Sequence, residues 1–450
     1  MANQAIPGST PAPDRQAVID ALEKQLRTTP RASRPYEYAT VAYRLGLAHA
    51  ESPLGSPEEG LRKALAHFEE AAAIFDPRYD PVEHARILNA AGAVHRALGG
   101  QPKAAELFAQ AAELFEGRER DAERAAALNN LGLVRTEMGQ LDRAAEAFDA
   151  AVELFDTTTE EGKRGRVATL HNRGQAHAAA GTVEGLEAAL ADYEEARADL
   201  DPDDAPYHYG LVHHSIGITC SALAGMRDED RREFLQEAVR AFTESLEIFS
   251  RSAFPYQHAL AMHNLGLAHL GLGGTTNQRR ALASFEDAVA ILDPRLHAGA
   301  WRQAYASLER TEKQLAEAQP GMSRTDHFVN LAADVRRDDR MALMKDRMMR
   351  FFSLPENGRL QLAELSLATA RLGENRGRGV YEAILVTIME MPREVQETAI
   401  DAIWEAHRQL DGDARATADA ELDQSIGDAL GGPQRIFVRD RLYELGWERP

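Results

Sequence analysis

Apolar residues along most of this chain recur with helical period, and the phase breaks at short polar or glycine-bearing stretches. The clearest stretch is residues 128–155, LNNLGLVRTEMGQLDRAAEAFDAAVELF, where periodicity on both sides of MGQL predicts a helix, a tight turn and a second helix. Within it Gly132, Ala144, Phe148 and Ala151 stand 12, 4 and 3 residues apart in turn. Small residues there let two antiparallel helices approach closely, with Phe148 filling the gap between them.

The pattern recurs six times. One glycine marks each first helix: Gly46, Gly92, Gly132, Gly174, Gly217 and Gly266, spaced by 46, 40, 42, 43 and 49 residues. The matching aromatics of the second helices are Phe68, Phe108, Phe148, Tyr193, Phe242 and Phe285. Ala71, Ala111, Ala151, Ala196, Ser245 and Ala288 follow them at a constant offset. In four repeats a helix-ending residue lies further on, Pro77, Gly117, Pro202 or Pro294.

Helix pairs with this glycine–aromatic–small signature resemble the tetratricopeptide repeat (TPR) superfamily. The period of about 42 exceeds the usual 34 residues. It is similar to the long class found in kinesin light chain and in bacterial adaptor and regulatory proteins, which also carry the Asn129-Asn130-Leu131 motif, echoed here by Asn264-Leu265. The resemblance spans residues 36–292 and implies an all-α fold, a right-handed solenoid of six helix-turn-helix repeats. Residues 1–13 read as a disordered N-terminus and 14–320 as the solenoid with its capping helices. A first cap is expected over residues 14–28, with Ala17, Leu22 and Leu26 inward, and a last one over 300–318. Longer loops are expected at 51–60 and 224–231.

At Gln319-Pro320-Gly321 the pattern stops. Residues 321–450 read as a compact helical domain with segments at 325–352, 357–372, 380–391, 393–410, 414–430 and 433–445, and resemble no family. The first of these carries an apolar stripe, Phe328, Leu331, Val335, Met341, Met344, Met348 and Phe352, which suits a core more than a partner surface.

Charge narrows the partners. Lys and Arg number 51 against 71 Asp and Glu, a formal charge of −20. Nucleic acid and anionic membranes both call for a basic face, so neither is expected as a partner. A single cysteine, Cys220, fits a reducing cytoplasm, and neither a signal peptide nor an apolar run of the ~20 residues that span a bilayer is visible. Lysine occurs 6 times against 45 arginines, a bias that points to a bacterial source.

In TPR proteins the first helices line a concave groove, at positions three before and one after the aligned glycine. Here the first column reads Tyr43, Asn89, Asn129, His171, His214 and His263, and the second Leu47, Ala93, Leu133, Gln175, Ile218 and Leu267. A hydrogen-bonding ladder beside an apolar strip suits an extended peptide: amide partners for its backbone, shallow pockets for its side chains. The partner-binding face is therefore assigned to Tyr43, Asn89, Asn129, Leu133, His171, Gln175, His214 and His263. On that assignment, alanine at Asn129 and His171 weakens capture without altering melting. The carboxylate clamp of some TPR proteins needs Lys and Asn where this chain has Tyr43 and Leu47, so chaperone tails are not expected.

Three residues beyond each glycine stand His49, His95, Arg135, His177, Cys220 and His269. They read as packing between helices, since metal ligands must converge within ~2 Å of one ion and no paired-cysteine or HExxH motif is present. His208, His213 and His214 lack the spacing that puts ligands on one helical face. Arg173 fills a slot that is apolar in most repeats and calls for a carboxylate partner. Nothing assembles a nucleophile, a phosphate loop or a cofactor site: Gly377-Arg378-Gly379 lacks strand–loop–helix context, and pairs such as Glu69-Glu70 lie on solvated faces. The expected function is non-catalytic, an adaptor that holds a protein or peptide segment, with assembly or maturation of a larger complex as one setting. A peptide-sensing regulator, or an enzyme with its site in residues 321–450, are the competing readings. A homo-oligomer is not indicated.

Overall fold

The computed structural model describes residues 15–51, 56–352, 355–373 and 376–450, and all regular structure among them is helical. The disordered segment expected at 1–13 and part of the first long loop lie outside the described residues. The chain divides into two compact units, Met1–Phe249 and Ser250–Pro450. This division falls one repeat before the pattern stops at Gln319-Pro320-Gly321.

Unit 1 opens with a capping helix, α1 (Arg15–Thr28), followed by five helix hairpins. These are α2 (Pro35–Ala50) with α3 (Pro57–Ala72), and α4 (Pro81–Ala97) with α5 (Gln101–Phe115). Next come α6 (Asp121–Glu137) with α7 (Leu141–Val152), and α8 (Glu160–Ala178) with α9 (Val183–Ala198). The last pair is α10 (Pro206–Met226) with α11 (Arg231–Ile248). Proline begins α2, α3, α4 and α10, where its missing N–H and fixed φ suit the first turn.

Each hairpin closes on the same contact. A Cβ added to Gly132 would lie 2.5 Å from Phe148 Cε1, and one on Gly92 would lie 2.8 Å from Phe108 Cε1. No side chain fits between backbone and ring, so the two helices meet there as closely as van der Waals surfaces allow. Ala64, Ala104 and Ala144 on the second helices are fully buried beside the same contacts. In the fifth repeat Ser245 replaces the usual alanine, and its buried hydroxyl donates to Gly210 O at 2.8 Å. The turn after α6 is made by Gly139 at φ 72°, with Gly139 N and Gln140 N donating to Thr136 O and Arg135 O at 2.9 Å each.

The cap buries Ile19 and Leu22 against Val41 and Leu45. Ala17, assigned to the buried side, is exposed, because the inward stripe runs through Ile19. The loop expected at 224–231 is shorter than read: Leu223 and Ala224 are buried, so α10 continues to Met226.

Unit 2 begins with the sixth hairpin, α12 (Pro255–Leu272) and α13 (Thr275–Ile291), then α14 (Ala298–Ala318). Seven helices follow: α15 (Arg324–Asp334), α16 (Arg337–Phe352), α17 (Pro355–Ala370) and α18 (Arg376–Met389), then α19 (Arg393–His407), α20 (Gly412–Ala429) and α21 (Gly432–Glu444). The single helix expected over 325–352 is two, broken at Val335. Arg340 makes the break stable: its guanidinium donates to Ala332 O at 2.7 Å and Val335 O at 3.0 Å, capping the carbonyls that end α15. Asp338 and Asp339 meanwhile sit in the first turn of α16, where the helix dipole favours them. The methionine stripe is core: Met344 and Met348 are fully buried with Val329, Tyr381, Ile384 and Ile403. Phe352 lies outside the residues whose side chains are described.

If close approach at the glycine defines the repeat, Gly132→Ala lowers unfolding stability by about 1–3 kcal/mol through overpacking. Phe148→Leu in the same chain recovers part of the loss, because the two sites share one contact. Urea midpoints of the three variants check this; additive losses would contradict it.

Candidate functional site

In unit 1 the first helices of neighbouring repeats pack on one another, α2 on α4, α4 on α6, α6 on α8 and α8 on α10. The second helices of neighbouring repeats do not pack closely together among the described residues. The first helices therefore form the inner face of this unit, and both columns read from the sequence lie on them except His263 and Leu267, which lie on α12 of unit 2.

The inner column is built on the rings beneath it. Tyr43 packs on Phe68 with ring centroids 5.9 Å apart, His171 on Tyr193 at 5.5 Å and His214 on Phe242 at 5.6 Å. A polar neighbour from the next repeat ties Asn89, Asn129 and His171 to the following helix. Asn130 Nδ2 donates to Asn89 Oδ1 at 3.1 Å, and Asn172 Nδ2 to Asn129 Oδ1 at 2.9 Å. His171 Nε2 shares a hydrogen bond of 2.9 Å with Ser215 Oγ. In unit 2, His263 repeats the arrangement, packing on Phe285 at 5.5 Å and bonding Ser307 Oγ at 3.2 Å. Asn89 and Asn129 pair with asparagine, and His171 and His263 with serine.

The ladder is thus partly spent on holding repeats together. Asn89 Oδ1, Asn129 Oδ1 and His171 Nε2 are engaged, while the Nδ2 donors of Asn89 and Asn129 have no partner among the described residues. This revises the expected behaviour of alanine at Asn129 and His171: it cuts ties between helices, and a loss of stability accompanies any loss of capture. Asn130, Asn172 and Ser215 were not read as part of the face. The signal for them was present, a polar residue next to the column in three successive repeats.

The second column is the accessible one. Ala93, Gln175 and Ile218 are exposed, Ile218 at 46 %, whereas Leu47 and Leu133 are half-buried against their own hairpins. Leu267 is exposed at the same position in unit 2.

Arg173 has the carboxylates it requires. Its Nε donates to Asp192 Oδ1 at 2.9 Å and its Nη1 to Asp149 Oδ1 at 2.6 Å. Burial lowers the guanidinium pKa, but these bonds outweigh it and the net shift is upward. Buried Asp192 also accepts from His177 Nδ1 at 2.7 Å, so one carboxylate satisfies two departures from the repeat pattern.

Other members of that outer column pack between helices. His49 stacks on His67 with centroids 5.6 Å apart. Arg135 Nη1 donates to Arg143 O at 2.9 Å. Cys220 is buried, and desolvation pushes its thiol up to about 12, which keeps it protonated at neutral pH. His213 is buried against Tyr209, with ring centroids 4.3 Å apart. Among the described residues no three His, Cys, Asp or Glu side chains gather closely enough to hold a metal ion. Gly377-Arg378-Gly379 lies in the first turn of α18 and forms no loop. No described helix is long and apolar enough to cross a membrane.

No family model matches the chain, and no curated protein does. Solved structures resembling it are helical-repeat proteins. The apo form of the quorum sensor NprR from B. thuringiensis is 12% identical, with a TM-score of 0.44 over 84% of this chain and 93% of that one. BtubC from P. vanneervenii is 17% identical, with a TM-score of 0.42 over 54% of this chain and 93% of that one. A tetratricopeptide repeat protein from Parabacteroides merdae is 16% identical, with a TM-score of 0.37 over 65% and 93%.

Burial within the helix stacks sets the pH response. It lowers His171, His214 and His269 from 6.5 to about 4, with His208 and His214 adding to the effect at His171 and Arg280 at His269. Between those values the unfolded chain takes up protons that the folded chain refuses, so stability falls as pH drops through that window and is level above it. Melting temperature is expected to decline from pH 6.5 towards 5. The decline should be shallower in a His171→Gln, His214→Gln variant; an identical profile would contradict burial as the cause.

Proposed function

We propose that the inner face of unit 1 binds an extended segment of a partner protein and that the chain acts as a non-catalytic adaptor. The observation that carries this is the pairing of two rows on one face. Exposed Ala93, Gln175 and Ile218 run beside Asn89 and Asn129, whose amide donors point to no internal partner. A strand laid along this face would offer backbone carbonyls to the amides and alternate side chains to the strip. Covering the exposed half of a side chain such as Ile218 contributes about 1 kcal/mol, so several such contacts together hold a flexible segment.

The ladder supports the reading in a second way. Hydrogen bonds from helix to helix fix the spacing of the first helices before any partner arrives, which reduces the entropy lost on binding. His263 and Leu267 carry the same pair of features in unit 2.

The test is affinity capture from the native host by the intact chain and by an Ala93→Glu, Ile218→Glu variant. Both positions are exposed, so melting should stay within about 2 °C of the parent. The partner retained by the parent is expected to be lost by the variant and kept by a second-helix control, Gln110→Glu. Equal capture by all three would refute the assignment.

A further inference from the structure

Two asparagine pairs on the inner face of unit 1 share one wiring. Asn130 Nδ2 donates to Asn89 Oδ1, and Asn172 Nδ2 donates to Asn129 Oδ1. The first pair bridges α4 and α6, the second α6 and α8. A side-chain amide carries both a donor nitrogen and an acceptor oxygen. Each tie therefore leaves a donor, Nδ2, on the column asparagine and an acceptor, Oδ1, on its neighbour. None of these four groups has a partner among the described residues. All four residues are half-buried, and the groups left over are open to solvent.

A donor beside an acceptor is the complement of a peptide backbone. In an extended segment the N–H and C=O of one residue point the same way, so one contact residue can meet both halves of a pair. Exposed Ala93, one turn beyond Asn89, leaves the backbone room to approach. The flanking charges cancel: Arg86 and Arg96 on α4 donate through Nε to Glu123 and Glu137 on α6 at 2.7 Å each.

The two pairs stand one repeat apart, and that distance selects a conformation. Packed helices lie about 8–10 Å apart. A β-strand returns a residue to the same side every second position, about 6.6 Å on, and its next return, at about 13 Å, overshoots. A polyproline II helix returns one every third residue, about 9.3 Å on, in step with the repeats. One repeat before the first pair, Tyr43 presents a hydroxyl that also lacks a partner among the described residues, a third contact at the same interval.

We propose, resting on the reading that this face holds the partner, that the bound segment is a polyproline II helix read at every third residue. The contact residues keep their N–H and are not proline. The two positions between them turn away from the pairs, and proline there presets the conformation and lowers the entropy lost on binding. The partner segment is thus proline-rich with a period of three, and its contact positions need carry no charge.

The test measures fluorescence anisotropy of three fluorescein-labelled twelve-residue peptides with the full chain: four Ala-Pro-Pro triplets, six Ala-Pro doublets, and oligoproline. The triplets supply an N–H at every third residue, the doublets at every second, and oligoproline at none. The triplet peptide is expected to bind about tenfold tighter than either control. Asn130→Ala with Asn172→Ala removes both acceptors and is expected to abolish that preference, read below the variant's lowered melting temperature. Equal affinity for the three peptides, tighter binding of the doublets, or no binding of the triplets at millimolar concentration would overturn the proposal without reliance on any variant. So would a preference that survives in the folded double variant. If the Ala93→Glu, Ile218→Glu chain loses the captured partner while the three peptides bind alike, the inner face stands as the partner site and the period of three falls.

Discussion

The contact between a glycine backbone and an aromatic ring is the constraint on which the repeat depends. It sets the distance between the helices of a hairpin, because nothing larger than hydrogen fits beneath the ring. It also sets the inner surface. With the ring fixed against the glycine, its other neighbour is the residue one turn earlier on the first helix, and Tyr43, His171, His214 and His263 all rest there. A buried packing rule thus fixes which side chains the inner face presents.

Four ties between first helices are built on that column. Asn89 and Asn129 bond asparagine from the next helix, and His171 and His263 bond serine, so the hydrogen bond survives both exchanges. The column does two jobs at once: it closes the seam between first helices, and it borders the exposed strip formed by Ala93, Gln175 and Ile218. The charged cluster of Arg173, Asp192 and His177 is another matched exchange, since a cation in an apolar slot is tolerated only with the buried carboxylate opposite it.

Much of this was legible in the chain itself. Helical period, the aligned glycines and their aromatic partners located all six hairpins and the helix that follows them, because each signal reports a local contact. What escaped depends on neighbours distant in sequence. The bond from Asn172 to Asn129 joins residues 43 apart, and only alignment of successive repeats shows a recurring polar residue beside the column. The break at Val335 lacks glycine or proline and rests on Arg340 reaching back to three carbonyls. Arg324, Arg347 and Arg371 are spread over 47 residues of sequence, and only the packing of the second unit's helices brings them to one cavity.

The most direct measurement for the central claim, that the inner face of the first unit is the surface that holds a partner, is site-specific photo-crosslinking in the native host. A benzophenone side chain would replace Ile218 on α10 in one chain and Gln110 on α5 in another, both exposed positions on opposite kinds of helix. The account predicts a discrete adduct from position 218 and none from position 110. An adduct from 110 alone, or none from 218 while the partner still co-purifies, would contradict it.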